Sequence, residues 1–331
     1  MASSSSSFKR HLRMLIYVLI LFGILPLLGY LHWIGGPIDD IDGMTTLRFR
    51  RGFWSETEDS IETKKTRPFS SNVNWCEEDY KYTSYIAEWW NSISSLLMIF
   101  SGCYGYVRHR STAEEKYLWA FFFFGIVGFG SFLFHATLRR STQLMDELPM
   151  LWVNSFFIYI VRTMDDPPGI RRRIDALIGI CGTVSVTIAT VLYDRENQTI
   201  FLLSYGTGVL YLIVRSAQFP SLDETVVMKK EEGNDDTIRN RCCGPERAHE
   251  IMLEIGILFY GVAFFCWLVD RAFCNEWIRL LQLHSIWHIG ADLGTYTALI
   301  GWLFRRQAFL KKRPRLRGQT PLTRWCDVEI V

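Results

Sequence analysis

The sequence predicts an all-α membrane protein, a bundle of seven transmembrane helices preceded by one further N-terminal transmembrane anchor. Three observations predict it. Hydrophobic residues fill 49% of the 331 positions, with 12 Trp and 23 Phe. They gather into continuous blocks, and a block of roughly 18 apolar residues is long enough to cross a bilayer. Lys and Arg are dense in alternate loops, as expected when positive charge is retained on the cytoplasmic side.

The blocks lie at about 14–31, 85–107, 117–134, 144–161, 174–192, 200–214, 252–269 and 286–304, the one at 200–214 being the shortest. The first follows a Ser run and the cations Lys9, Arg10 and Arg13. A cleaved signal sequence has the same basic start and apolar middle, but no small-x-small cleavage pattern follows, so a retained signal anchor over 1–34 is preferred. Residues 35–73 carry mixed charge and scattered Gly and are expected to form a partly disordered lumenal linker. A helical core over 74–304 and a basic cytosolic tail over 305–331 complete the division. The net charge of +2 says little by itself, and no nucleic-acid partner is expected.

With the N-terminus inside, Arg108, Arg110 and Lys116, then Arg171 to Arg173, then Lys229, Lys230, Arg239, Arg241 and Arg247, and finally the tail all fall on the cytoplasmic side. The opposite loops are poorer in cations. The exception is the first of them, which holds Arg48, Arg50, Arg51, Lys64, Lys65, Arg67 and Lys81. Asn197-Gln198-Thr199 is a glycosylation sequon on the lumenal side of this topology, with Asn197 as the acceptor.

Within that frame three histidines share a depth. His284 and His288 are four residues apart, which puts both imidazoles on one helix face a turn apart. His135 closes the block at 117–134, and Asp146 opens the next. An interfacial histidine is the competing reading of His135 alone. All four residues fall on the lumenal side, however, and three nitrogen ligands form a zinc site that keeps a fourth position open for water.

A second cluster precedes the block at 85–107. Asn74, Glu77, Glu78 and Asp79 lead to Glu88 at the start of an apolar helix, where a carboxylate is expensive unless a cation meets it. Oxygen donors at loop spacing suit a hard cation such as calcium. On spacing alone the plainer reading, a solvated acidic loop with one Glu bonded to a neighbouring helix, is preferred, because the motif is no EF-hand loop.

The eight cysteines form no C-x-x-C motif. Cys103, Cys181 and Cys266 lie in apolar blocks and are expected to be packed thiols. Cys242, Cys243 and Cys326 fall on the cytoplasmic side. Cys76 and Cys274 fall in lumenal loops, where oxidation is permitted, and a disulfide between them is expected. Asp270 and Asp292 are membrane carboxylates to which spacing assigns no role beyond helix packing.

These motifs resemble the alkaline ceramidase family. NWCEEDY with IAEWWNSIS, GSFLFHATL with QLMDELPM, WLVDRAFC, and LHSIWHIGADLGTY stand in the family's order and spacing over about 74–304. The resemblance implies an integral membrane amidase, resident in endoplasmic reticulum or Golgi membrane. It takes ceramide from the bilayer and hydrolyses it to a sphingoid base and a fatty acid with a zinc-activated water. Carried over by position, His135, His284 and His288 match the zinc ligands, Asp146 the catalytic carboxylate, and Ser131 a serine beside the metal. Asn74, Trp75 through its carbonyl, Glu77, Asp79 and Glu88 match a calcium site. The sequence departs from the family pattern there, with Asn74 in place of Asp and Asp79 where Asn is frequent, so the count of three carboxylates is kept. A seven-helix receptor related to the adiponectin receptors would share a three-His site but lacks NWCEEDY. An ion transporter would spread carboxylates over many helices, and a lipid-anchor remodelling hydrolase is the nearest enzymatic alternative.

Overall fold

The computed structural model describes residues 71–167, 172–194, 198–219 and 248–310, with the backbone of 314–316 and 328–330. The N-terminal anchor, the linker to residue 70, Asn197, Cys242, Cys243 and Cys326 lie outside the described residues. The described chain is helical: α1 Trp89–His109, α2 Glu115–Thr137, α3 Arg140–Arg162, α4 Arg173–Tyr193, α5 Thr199–Ala217, α6 Ala248–Ala272, the short α7 Glu276–Leu281, and α8 Leu283–Phe309. One antiparallel pair, β1 Pro314–Leu316 with β2 Val328–Ile330, lies in the tail, where the sequence predicts no strand.

Five of these helices, α2 to α6, are long and apolar enough to cross a membrane. The chain is thus an integral membrane protein by the length and composition of its helices. Helices α1 and α8 correspond to blocks of the expected bundle, but they carry inward polar side chains. Asn91, Ser92 and Ser95 on α1 and His284, Ser285, His288 and Asp292 on α8 are buried. The blocks therefore sit where the hydropathy places them, and the polarity of these two marks the helices that build a site.

Helix α6 packs along α8, α1 along α2, and α2 along α3, while α8 closes onto α1 and α3 carries α4 and α5. The core between them is aliphatic and aromatic, with Tyr117, Phe121, Ile160, Leu299, Ile300 and Phe304 almost wholly buried. Helix α4 is the opposite case: Thr190 is its one buried residue, and Ile174, Leu177, Ile178 and Ile180 are exposed, as lipid-facing side chains are. Cys103 and Cys181 are exposed and Cys266 is half-buried, so the expectation of packed thiols is corrected. In a membrane protein the outer helix face is as apolar as the core, and hydropathy does not separate the two.

Two close approaches bring the site together. A Cβ on Gly130 of α2 would stand 1.9 Å from the carbonyl oxygen of Met145 on α3. That carbonyl has no helical donor four residues on, because residue 149 is a proline inside α3. Only glycine lets it lie against α2, beside Asp146. Gly256 and Gly294 play the same part between α6 and α8, where an added Cβ on Gly294 would meet the Gly256 carbonyl at 2.7 Å.

The end of the bundle away from the histidines is closed by charge. The Arg306 guanidinium donates to both Glu114 oxygens at 2.7 and 2.9 Å and to the carbonyls of Met164 and Asp166 at 2.9 and 2.6 Å. Arg305 beside it donates to Asp165 at 3.1 Å. One buried side chain thereby ties α8 to the segments that precede α2 and follow α3. Arg306→Ala should lower the unfolding free energy by about 2 to 3 kcal/mol, less than for a fully buried pair because Glu114 is a third exposed and keeps Lys116, while the carbonyls of Met164 and Asp166 lose their donor. A detergent melt of Arg306→Ala within about 1 °C of wild type would contradict this, since a loss of that size shifts a melt by several degrees.

Candidate metal centre

His135 sits in the last turn of α2, and His284 and His288 in the first two turns of α8. All three are buried. Their ligating atoms lie within 4.8 Å of one another, and among the described residues no other group of three or more His, Cys, Asp or Glu meets that condition. Ring centroids are 5.0 Å apart for His135 and His284, 4.8 Å for His135 and His288, and 4.6 Å for His284 and His288.

The partners of each ring show which nitrogen is left over. His135 Nδ1 is 2.5 Å from Glu88 Oε2, while Nε2 is buried with no hydrogen-bond partner. His288 Nδ1 lies 3.1 Å from the Asn91 carbonyl and 2.8 Å from Ser94 Oγ. A carbonyl only accepts, so that nitrogen carries the proton and Nε2 is the free base. His284 stacks on Trp75 with centroids 3.6 Å apart, and its Nδ1 has no hydrogen-bond partner. Buried nitrogens without partners are rare because each forfeits its hydration. Here the three rings offer one ligand atom each within 4.8 Å of the others, so the three residues fit a metal that takes neutral imidazoles, and the hydrogen bonds behind His135 and His288 are the outer shell that fixes ring orientation.

The extended segment 71–88 builds the floor of the centre. Its backbone N–H groups satisfy carbonyls at the end of α2 that have no helical donor. Ala87 donates to Ala136, Glu88 to His135 and Ser71 to Leu138, at 3.0, 3.0 and 3.3 Å. Helix α2 ends there because Leu138 turns into the left-handed region at φ 46°. The same docking delivers the Glu88 carboxylate to the His135 ring.

Ser131, one turn before His135, hydrogen-bonds the Asp146 carboxylate and lies 3.0 Å from Ser95 Oγ. Ser131, Asp146, His284 and His288 line one end of a cavity of about 570 Å³. Most of the remaining wall is apolar, with Phe124, Val153, Leu212, Ile257 and Phe264 among the contributors, interrupted by Glu147, Asn154 and Gln198. Such a cavity takes a large apolar ligand and brings one polar part of it to the histidines.

The predicted calcium residues share the loop over 74–79 and the start of α1, but their carboxylates have separate partners. Glu77 accepts from the N–H groups of Trp90 and Asn91 at 2.7 and 3.0 Å and so caps α1 from outside it. Burial pushes its pKa up to about 7, against the pull of those two N–H groups. Glu88 accepts from Trp75 N–H at 2.8 Å and Asn91 Nδ2 at 3.0 Å besides meeting His135. Asn74 donates to Asp79 at 2.9 Å, which leaves Asn74 Oδ1 buried without a partner. Cys76, in the same loop, is bonded to Cys274 with Cα atoms 5.4 Å apart.

The sequence reading missed Asn91, Ser94 and Ser95, which hold His288 and Ser131. Their signal is legible afterwards as polar residues recurring three and four apart in an otherwise apolar helix. Glu88 had two readings, a calcium ligand or a Glu bonded to a neighbouring helix, and its bond to His135 on α2 is of the second kind.

The family model described as Ceramidase matches residues 67–318. The chain is 26% identical over 281 residues to Alkaline ceramidase 3 of Mus musculus, covering 81% of this chain and 91% of the relative. It is 27% identical over 271 residues to Alkaline ceramidase YPC1 of Saccharomyces cerevisiae, covering 75% and 77%. To Alkaline ceramidase of Arabidopsis thaliana it is 25% identical over 270 residues, covering 77% and 96%.

Proposed function

The chain belongs to the ceramidase family and is a ceramide amidohydrolase, and from that premise we propose that His135, His284 and His288 hold a catalytic zinc, with Asp146 as its proton carrier. The observation that carries the reading is the cluster of three buried imidazoles with ligating atoms within 4.8 Å of one another, two of them holding unpartnered nitrogens, beside a largely apolar cavity that His284 and His288 line. Nitrogen-only donors with outer-shell support suit zinc among the common metals.

Zinc in this position supplies a Lewis acid that polarises the amide carbonyl and acidifies water. The chain supplies the rest. The cavity holds the two hydrocarbon chains and keeps bulk water from the amide. Asp146 lines the same cavity as His284 and His288 and would serve a water attacking the carbonyl carbon there. It takes that water's proton and returns it to the departing amine nitrogen as the C–N bond breaks, leaving a fatty acid and a sphingoid base. Ser131 holds the carboxylate of Asp146 in place and is poised to turn its hydroxyl toward the oxyanion as charge builds on the former carbonyl oxygen.

The wider arrangement follows the same reading. Seven helices span the membrane after an N-terminal anchor, and the metal centre faces the lumen of the endoplasmic reticulum or Golgi, where a Cys76–Cys274 disulfide is stable. Asn197 lies on that side as a glycosylation acceptor. Asn74, the Trp75 carbonyl, Glu77, Asp79 and Glu88 offer oxygen donors to calcium, supported by the orphaned Asn74 Oδ1. Glu88 belongs to that set and also touches His135, so calcium has a direct route to the zinc ligand.

Asp146→Asn should retain zinc while ceramide turnover falls about 10²- to 10⁴-fold, because an amide cannot carry the proton. Near-wild-type turnover in that variant would make Asp146 structural. Turnover should also rise when calcium is added back to chelated, zinc-loaded protein. Asp79→Asn should raise the calcium needed for half the effect by about tenfold or more, because one ligand charge is lost. A wild-type rate indifferent to calcium returns the loop to a structural role.

A further inference from the structure

We propose that Asp270 is a positioning residue for His284, holding both the backbone that presents this imidazole and the loop that carries the ring stacked on it. The inference rests on the zinc reading above and extends it to a carboxylate that the catalytic cycle leaves unused.

Asp270 is two residues from the end of α6 and 2% exposed. A buried carboxylate persists where donors meet it. Its Oδ2 accepts from the backbone N–H of Cys76 at 3.1 Å, and the carboxylate also accepts from the backbone N–H of His284. Helix α8 needs that acceptor. It opens at Gln282, a residue in the left-handed region at φ 51° whose side chain makes no cap, so the first N–H groups of α8 have no helical partner. An anionic acceptor at this end also meets the positive end of the helix dipole.

The other two imidazoles are steered through their rings, His135 by Glu88 and His288 by Asn91 and Ser94. His284 differs, with its ring stacked on an indole. Its ring is steered by the face of Trp75, and its backbone by Asp270. Trp75 adjoins Cys76, whose N–H Asp270 also holds. Residues flanking Asp270 on α6 brace the same indole, with the Arg271 guanidinium 6.0 Å from the Trp75 ring and the Trp267 ring 5.7 Å from it. Asp270 thus fixes both surfaces that orient His284. The Cys76–Cys274 bond joins the same two segments covalently, so they remain tethered when the carboxylate is removed.

The test is metal affinity in the purified full-length protein, measured by zinc competition against a chromophoric chelator and by the visible absorption of the cobalt-substituted site. Asp270→Ala should weaken zinc at least about tenfold, the usual effect of losing an outer-shell partner, and should shift the cobalt bands. Asp270→Asn retains one carbonyl oxygen and should recover part of the affinity. Asp165→Asn, which loses a carboxylate at the far end of the bundle, should lower the melting temperature without moving either metal readout. If Asp270→Ala does not fold, Asp270→Asn decides alone through its cobalt spectrum and affinity. Zinc affinity within twofold of wild type and an unchanged spectrum would overturn the positioning role and leave the zinc reading intact. Wild-type protein that takes up neither metal would overturn both.

Discussion

Burying polar groups inside a helix bundle that faces lipid is tolerable only when each finds a partner within the protein, and here the partners come largely from one extended segment. Residues 71–88 lie along the end of α2, and their N–H groups satisfy the carbonyls of His135, Ala136 and Leu138. In doing so they set Glu88 against the His135 ring, Trp75 against the His284 ring, and Glu77 against the first N–H groups of α1. Without that segment two helix ends would be open and two of the three imidazoles unsteered. The disulfide between Cys76 and Cys274 holds this segment to the turn leading toward α8. In the chain-entropy account a loop of this size is worth about 5 kcal/mol, an upper bound for a chain already confined by a membrane.

The bundle is polarised along its length. One end carries nitrogen and carboxylate groups around a cavity, and the other is sealed by Arg305 and Arg306 with Glu114 and Asp165. The cavity of about 570 Å³ that His284 and His288 line is largely apolar, which suits hydrocarbon chains. Catalysis in this arrangement depends on placement. Asp146 lines the cavity that His284 and His288 share, at the point where Gly130 and the carbonyl freed by Pro149 allow α2 and α3 to touch.

Much of this was legible in the residues themselves. The i, i+4 pair His284 and His288 and the position of His135 at the same end of the bundle pointed to a common metal, and the three rings do converge. The cysteine pair followed from which loops share a compartment. What spacing did not convey was partnership across the fold. Glu77 and Glu88 look alike on paper as oxygen donors, yet one caps a helix and the other steers an imidazole, because their roles depend on where an irregular loop docks. Asp270 looked like a helix-packing carboxylate for the same reason. Cys103 and Cys181 were misread because an apolar stretch in a membrane protein faces lipid as readily as core.

The central claim is that the three histidines carry a metal on which ceramide hydrolysis depends. The most direct measurement strips the purified protein with a chelator and then titrates zinc back while following both bound metal and ceramide turnover. Turnover should vanish on stripping and return in proportion to zinc, saturating at one ion per chain. Full turnover by protein shown to hold no metal would contradict it.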